Sequence, residues 1–564
     1  MWPLQKVLNF GSLRALSRRF AKPLKLSVTS AFTWSLRPMS LLAEHDSEFF
    51  RYTTGRWLWG ENEQLVERYR KFNVSELKTV AARTLGSQSC IAISKIGEGN
   101  FNKVFRLEMD DGSKVIARIP HPNAGPPRYT TTSEVATMEF VRSVLDIPVP
   151  KVLAWSATTD NPVGAEYIIM EEARGTQLTN VWENMDLDDK KTIIEDIIGI
   201  EKKLLSVSFS RYGSLYFIQD SFAGCEAADI TTNTATSVKE DVRRKFVVGP
   251  VALREFWEKE RSQMLLDRGP WKSAKDYVEA IARREISWIS KYASSTIRAP
   301  GYLKLSEAQV SPQEHIQLLN KYLDSVSTLI PDNPDLTRPT IYHPDLHDGN
   351  IFIHEGRISS IIDWQSIWAA PLILQARAPR LIDYHGEIKL SLPENFEQLN
   401  QDEKDHTRDQ VSRSIQMLIY EEKTAKTNPL LSEAFTQPFG KTLSQLVSFA
   451  GNSWDDDIIP LRECLIRLQR DWSKLGIKDP CPYHFTDDDI RKHRQDATGF
   501  NETQDFWDML EGTVDRTGWT TNEDFEGAVD YFLQLREAGL ETLVGKEQQE
   551  FELETRWVLD HRPR

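Results

Sequence analysis

His343, Asp345, Asn350 and Asp363 lie in IYHPDLHDGNIFIHEGRISSIIDWQ, residues 341 to 365. Asp345 and Asn350 are five apart, and Asp363 follows thirteen later. Phosphoryl transfer to a hydroxyl needs a carboxylate to position and deprotonate the acceptor. It also needs oxygen ligands that hold magnesium against the phosphates. This spacing provides both. Ile351 to Ile353 reads as a short strand, Glu355-Gly356 as a turn and Ile358 to Ile362 as the return strand. A hairpin of that length brings Asp363 back beside Asn350, so one oxygen from each can share a cation. Magnesium takes few protein ligands besides phosphate oxygens and water, which suits an Asn/Asp pair. An acidic surface loop would account for His-x-Asp alone, but not for the full spacing with apolar strands.

The elements that must face this loop stand upstream. Ile91 to Ile96, Val104 to Met109 and Lys114 to Ile119 read as three strands, with Asp111-Gly112 as a hairpin turn. Gly97 to Lys103 reads as the loop between the first two, and the order matches the phosphate-covering hairpin of a kinase amino-terminal lobe. Gly97 and Gly99 begin that loop. Asn102 stands where a third glycine is usual, and Asn replaces Gly best at positive φ. In the third strand the string is Val115-Ile116-Ala117-Arg118, so Arg118 takes the place of the phosphate-binding Lys. Arg holds phosphate or carboxylate in a fork and is not equivalent to Lys. A helix from Ser133 offers Glu134 as its partner, with Glu139 as the alternative. Tyr167 to Met170 is a strand leading into Glu171-Glu172-Ala173. There a backbone hinge of Met170, Glu171 and Ala173 would meet an adenine edge.

The chain has 564 residues, 25 Phe and 16 Trp, enough to bury a large core. Cys90, Cys225, Cys464 and Cys481 form no CxxC pair, and read as buried thiols in a reducing compartment. No apolar run is long enough to span a bilayer. Residues 1 to 43 carry seven basic residues and no acid, the composition of a mitochondrial transit peptide. Without those seven, 62 of the 69 Lys and Arg remain against 83 acidic residues, which disfavours sequence-independent nucleic-acid binding. Helical patterns fill much of the stretch between the hinge and His343. The aromatic run Trp257, Trp271, Tyr277 and Trp288 reads as core, and Asp487-Asp488-Asp489 as a helix start.

The ordered set RIP, SEVATMEFV, IPVPKV, YIIMEEARG, HPDLHDGN and IIDW resembles the aminoglycoside-phosphotransferase-like, or choline-kinase-like, class of kinase folds. The basic leader, GSLYF at 213 to 217, FVVGP at 246 to 250 and RGPW at 268 to 271 resemble the fungal altered inheritance of mitochondria protein 9 family within it. The class resemblance covers about residues 90 to 385, and the closer one most of the chain.

Together these readings give an α+β, two-lobed protein-kinase-like fold with helical insertions. Its parts are a transit peptide (1–43), a helical extension (44–89), an amino-terminal lobe (90–172), a carboxy-terminal lobe with a helical insertion before the catalytic loop (173–480) and a helical carboxy-terminal extension (481–564). The expected activity is transfer of the ATP γ-phosphoryl group, with Mg2+, to a small-molecule hydroxyl in the mitochondrial matrix. Asp345 is the expected base, supported by His343. Asn350 and Asp363 hold the metal; Gly97, Gly99, Asn102, Arg118 and Glu134 face the phosphates. A non-catalytic scaffold that keeps the fold is the competing reading, because of Asn102 and Arg118. The sequence selects neither the acceptor nor an oligomeric state.

Overall fold

The computed structural model describes residues 48–293, 308–455 and 457–561. The basic leader, 1–43, lies outside them. The amino-terminal lobe is a five-stranded antiparallel sheet. Its strands are β1 (Cys90–Glu98), β2 (Asn102–Met109), β3 (Lys114–Pro120), β4 (Val152–Ser156) and β5 (Tyr167–Glu171), in the order β1-β2-β3-β5-β4. Alternation places Phe105, Leu107 and Met109 of β2 and Val115, Ala117 and Ile119 of β3 in one buried cluster. Helix α1 (Val74–Leu85) covers it with Leu77, Ala81 and Ala82. This helix is punctuated at both ends: Asn73 accepts from the Glu76 N–H at 3.1 Å, and Gly86 closes it at φ 77°.

Helix α2 (Tyr129–Ser143) is buried along most of its length, as a helix enclosed on several sides must be. Val135, Met138, Phe140 and Val141 join a core that continues into the second lobe. There α3 (Leu187–Leu204), capped by Asp186, contributes Ile193, Ile194, Ile197 and Ile198. These residues pack with Ile351, Ile361, Trp364 and Tyr420, so the hairpin behind the His343–Asn350 loop rests on α3. Among the described residues no helix is long and apolar enough to cross a membrane.

Several expectations need correction. The first extension is not wholly helical, because Gly55–Trp57 is a strand paired with Trp519–Thr521 of the last. The insertion also contains a three-stranded sheet, with Phe246–Gly249 between Ser214–Phe217 and Glu226–Ala227. GSLYF and FVVGP therefore pair with each other, Ser214 opposite Gly249. Gly213 exchanges backbone hydrogen bonds with Ala369, and a Cβ on it would lie 2.3 Å from the Gly249 carbonyl. These strings brace the segment that follows IIDW. Cys90 and Cys464 are buried, whereas Cys225 and Cys481 are only partly so. Trp271 and Tyr277 pack in the core with Trp368, while Trp257 stacks on Tyr129. Thr486 and Asp489 form a reciprocal cap, so the Asp487-Asp488-Asp489 run opens a helix.

Candidate active site

Strands β7 (Ile351–His354) and β8 (Arg357–Ile361) form the hairpin, and β6 (Thr176–Gln177), just past the hinge, pairs with β7. Glu355 and Gly356 both take positive φ, 52° and 73°, as a tight hairpin turn requires. Ile351 lies opposite Ile361, and the Ile362 N–H donates to the Asn350 carbonyl at 3.0 Å. That pairing brings Asn350 and the following Asp363 to the same end of the hairpin. The Asn350 amide donates to the Asp345 carbonyl at 3.0 Å, which leaves its side-chain oxygen to serve as a ligand. Asp363 has φ 65°, a conformation Asp tolerates better than most residues, and its side chain is 46% exposed.

Asp345 itself is 44% exposed at the side chain, yet its Oδ1 is buried without a hydrogen-bond donor. His347 Nε2 lies 3.8 Å from Oδ2, and Arg380 Nη1 lies 3.5 Å from Oδ1. His343 is buried behind the loop. Burial pushes its pKa down, so Nε2–H donates to the Ile362 carbonyl at 3.1 Å while the ring meets Trp364 edge-on. These contacts tie it to the segment that carries Asp363.

On the facing lobe, Arg118 forms a buried ion pair with Glu134 and lies 3.6 Å from Asp363. Burial pushes the Arg118 guanidinium down to about 10, still charged at neutral pH. Glu139, the alternative partner, pairs instead with Lys245. The loop between β1 and β2 is shorter than the sequence suggests, because Glu98 already pairs with Lys103 across the hairpin. Asn102 does not take positive φ, nor do Gly97 and Gly99. Pairing holds Asn102 extended opposite Pro120, and its amide donates to Gln365 Oε1 at 2.6 Å. The Gln365 amide in turn donates to the Ala124 carbonyl at 2.9 Å. A Cβ on Gly99 would meet open space.

Sequence reasoning missed the group that fixes this loop. The Glu98 carboxylate meets Lys95 at 2.6 Å and Lys103 at 2.8 Å, and accepts from the Thr53 N–H at 2.7 Å. Burial would raise its pKa, but the ammonium groups of Lys103 and Lys95, both in hydrogen-bond contact, hold it well below the usual range. Burial pushes Lys103 down to about 8 and also lowers His121. At neutral pH a charged Lys103 therefore donates to His121 Nε2 at 3.0 Å, and His121 Nδ1–H donates to the Asn100 carbonyl at 3.1 Å. The signal was present: Lys103 shares the inward period of Phe105, Leu107 and Met109.

At the hinge, Met170 lies opposite Ile116 and Glu171 opposite Val115. The Glu171 N–H donates to the Lys151 carbonyl at 3.0 Å, so it is already engaged. Ala173 follows, and Gly175 turns at φ 97° against the Ile353 carbonyl, which a Cβ would approach to 2.1 Å. Gln177 then donates to the Gly349 carbonyl at 2.6 Å, which ties the hinge to the catalytic loop.

The phosphotransferase enzyme family matches residues 92–373. A subtelomeric hrmA-associated cluster protein of Aspergillus fumigatus is 34% identical, over 79% of this chain and 92% of its own. Altered inheritance of mitochondria protein 9, mitochondrial, of Yarrowia lipolytica is 27% identical over 86% of this chain and 87% of its own. Among solved structures, aminoglycoside phosphotransferase APH(4)-Ia aligns at 12% identity and a TM-score of 0.36, over 72% of this chain and all of that one. The matched span runs from β1 through the hairpin with Asn350 and Asp363, and the chain belongs to the phosphotransferase enzyme family, with altered inheritance of mitochondria protein 9 among its relatives.

Proposed function

We propose that this chain transfers the γ-phosphoryl group of ATP to a hydroxyl of a small molecule inside mitochondria. The observation that carries the reading is the Asp345 carboxylate, whose buried Oδ1 lacks a donor, beside an Asn350/Asp363 pair and the Arg118–Glu134 ion pair. The hinge backbone from Glu171 to Ala173 receives the adenine. Gly99 lets the loop backbone approach the phosphates, and Arg118 orients them. Asn350 and Asp363 supply oxygen ligands suited to magnesium, which when bound offsets charge on the transferring group. Asp345 accepts the acceptor's hydroxyl proton as the new oxygen–phosphorus bond forms and the bond to the β-phosphate bridging oxygen breaks, releasing ADP.

MgATP should raise the thermal stability of the full chain, since a ligand of the folded state shifts unfolding by mass action. Asp363→Asn should weaken the magnesium-dependent part of that shift. Asp345→Asn should keep it and lower ATP consumption against a mitochondrial metabolite extract by about 100-fold or more. Equal loss of nucleotide binding from both variants would overturn the roles. Full cellular rescue by Asp345→Asn would favour the scaffold reading.

The location rests on the relatives' names and on the seven basic residues of the leader. A matrix-negative potential draws such a segment inward. Residues 1 to 43 fused to a soluble reporter should carry it into mitochondria and be shortened there. A reporter that stays cytosolic would remove the leader from the targeting role.

A further inference from the structure

Asp345 meets a cation that the transfer step does not use. After the strand Ala369–Pro371 and the short helix Leu372–Gln375, the chain returns to the catalytic loop with Arg377 and Arg380. Arg380 Nη1 lies 3.5 Å from Asp345 Oδ1, too far for a good hydrogen bond, and its side chain is 67% exposed. The Arg377 carbonyl accepts from the Tyr342 hydroxyl at 2.8 Å, which pins this segment one residue ahead of His343. Partial desolvation and the charge of Arg380 push the Arg377 guanidinium down, while Asp345 pulls it up, so all three lie within electrostatic range.

Carboxylates with histidine neighbours also stand nearby. His347 lies between Asp345 and Asp348, at 3.8 and 3.7 Å, and Asp383 is engaged with His385 at 3.2 Å. Arg380 thus stands against the carboxylate where an acceptor hydroxyl must enter, with Arg377 three residues before it in the same segment. Arg118, on the facing lobe, already stands beside Asp363 for the phosphates. Guanidinium forks match carboxylate and phosphate oxygens, and an ammonium group placed there would be repelled.

We propose that the acceptor carries an anionic group, carboxylate or phosphate, close to its reactive hydroxyl, and that Arg377 and Arg380 bind that group. The proposal rests on the phosphotransfer reading for the hydroxyl, but the anion site can be tested without turnover. The probe is a library of hydroxyl compounds grouped by charge: amino alcohols and amino sugars, neutral polyols and sugars, hydroxy acids and sugar phosphates. The full chain saturated with MgADP should be further stabilised by members of the anionic group alone. With MgATP, ADP release should occur with that group, and Arg377→Gln and Arg380→Gln should each raise KM for the active compound about tenfold or more. The thermal shift with MgATP, retained in both variants, reports that they fold and bind nucleotide. Stabilisation or turnover confined to cationic or neutral compounds, or by no group, would overturn the anion site. So would a loss of MgATP binding in the variants equal to the loss of acceptor binding. Stabilisation by anions without ADP release would instead overturn phosphotransfer and leave the anion site standing.

Discussion

Beneath the catalytic loop, Glu201 of α3 is wholly buried and receives two tyrosine hydroxyls, Tyr342 at 2.8 Å and Tyr420 at 2.9 Å. The Tyr342 hydroxyl is also 2.8 Å from the Arg377 carbonyl, and one hydrogen cannot serve both acceptors. A protonated Glu201 supplies the missing hydrogen. Burial agrees, pushing its pKa up to about 8. The folded value exceeds the unfolded one, so the folded state binds more protons between the ordinary glutamate range and about 8. The stabilising contribution is then complete below the unfolded pKa and is lost as pH rises through the folded one. Glu201→Gln removes this titration. Denaturant unfolding should show the stability of the parent relative to the variant falling by up to about 1.4 kcal/mol per pH unit across that window. A difference that does not change with pH would mean Glu201 is ionised throughout.

At the scale of elements, the β1–β2 hairpin is held by charge as well as by its ladder. Glu98 and Lys103 are 2% and 0% exposed at the side chain, so removing one charge strands the other in a dry site. Glu98→Gln should cost about 3 kcal/mol of stability. Adding Lys103→Met should recover much of it, a coupling that a double-mutant cycle in urea would measure. Additive losses would deny the pairing. The strands of this lobe were legible because their apolar residues alternate, and the catalytic hairpin because Glu355-Gly356 interrupts two apolar runs. The loop's length was misread because Glu98 and Lys103 are polar and sit beside glycines, although their pairing extends both strands. Glu226–Ala227 and Gly55–Trp57 are too short to show a period, and the partner of the second is more than 460 residues away. Arg380 gave no signal because its approach to Asp345, thirty-five residues away, comes from the path of the chain and not from any motif spacing. For Glu134, the apolar spacing through Val135, Met138 and Val141 identified the helix, but only its packing separates the residue that meets Arg118 from Glu139, which meets Lys245.

Across the whole molecule, the two extensions join and then reach the β1–β2 loop. Gly55–Trp57 pairs with Trp519–Thr521, and Leu58 and Trp59 are buried with Val514, Phe525 and Val529. The Asn522 amide donates to the Thr53 carbonyl at 2.8 Å, and the Thr53 N–H donates to Glu98. Nearby, Lys103 donates to the Arg68 carbonyl at 2.8 Å. The last sixty or so residues thereby bear on a loop whose own lobe they do not belong to. Gly55 is the point of closest approach: a Cβ there would lie 2.4 Å from the Thr520 carbonyl and 2.5 Å from the Trp519 indole nitrogen. Gly55→Ala must therefore shift backbone, which parts the strand pair and loosens Thr53 from Glu98. Amide exchange should accelerate at residues 95 to 103 and 519 to 521, while the buried amides of α3 keep their protection. MgATP binding should weaken severalfold, because the loop must then be ordered at the expense of binding energy. Faster exchange at 519 to 521 with an unchanged loop and unchanged affinity would show that the extensions support each other without bracing the nucleotide site.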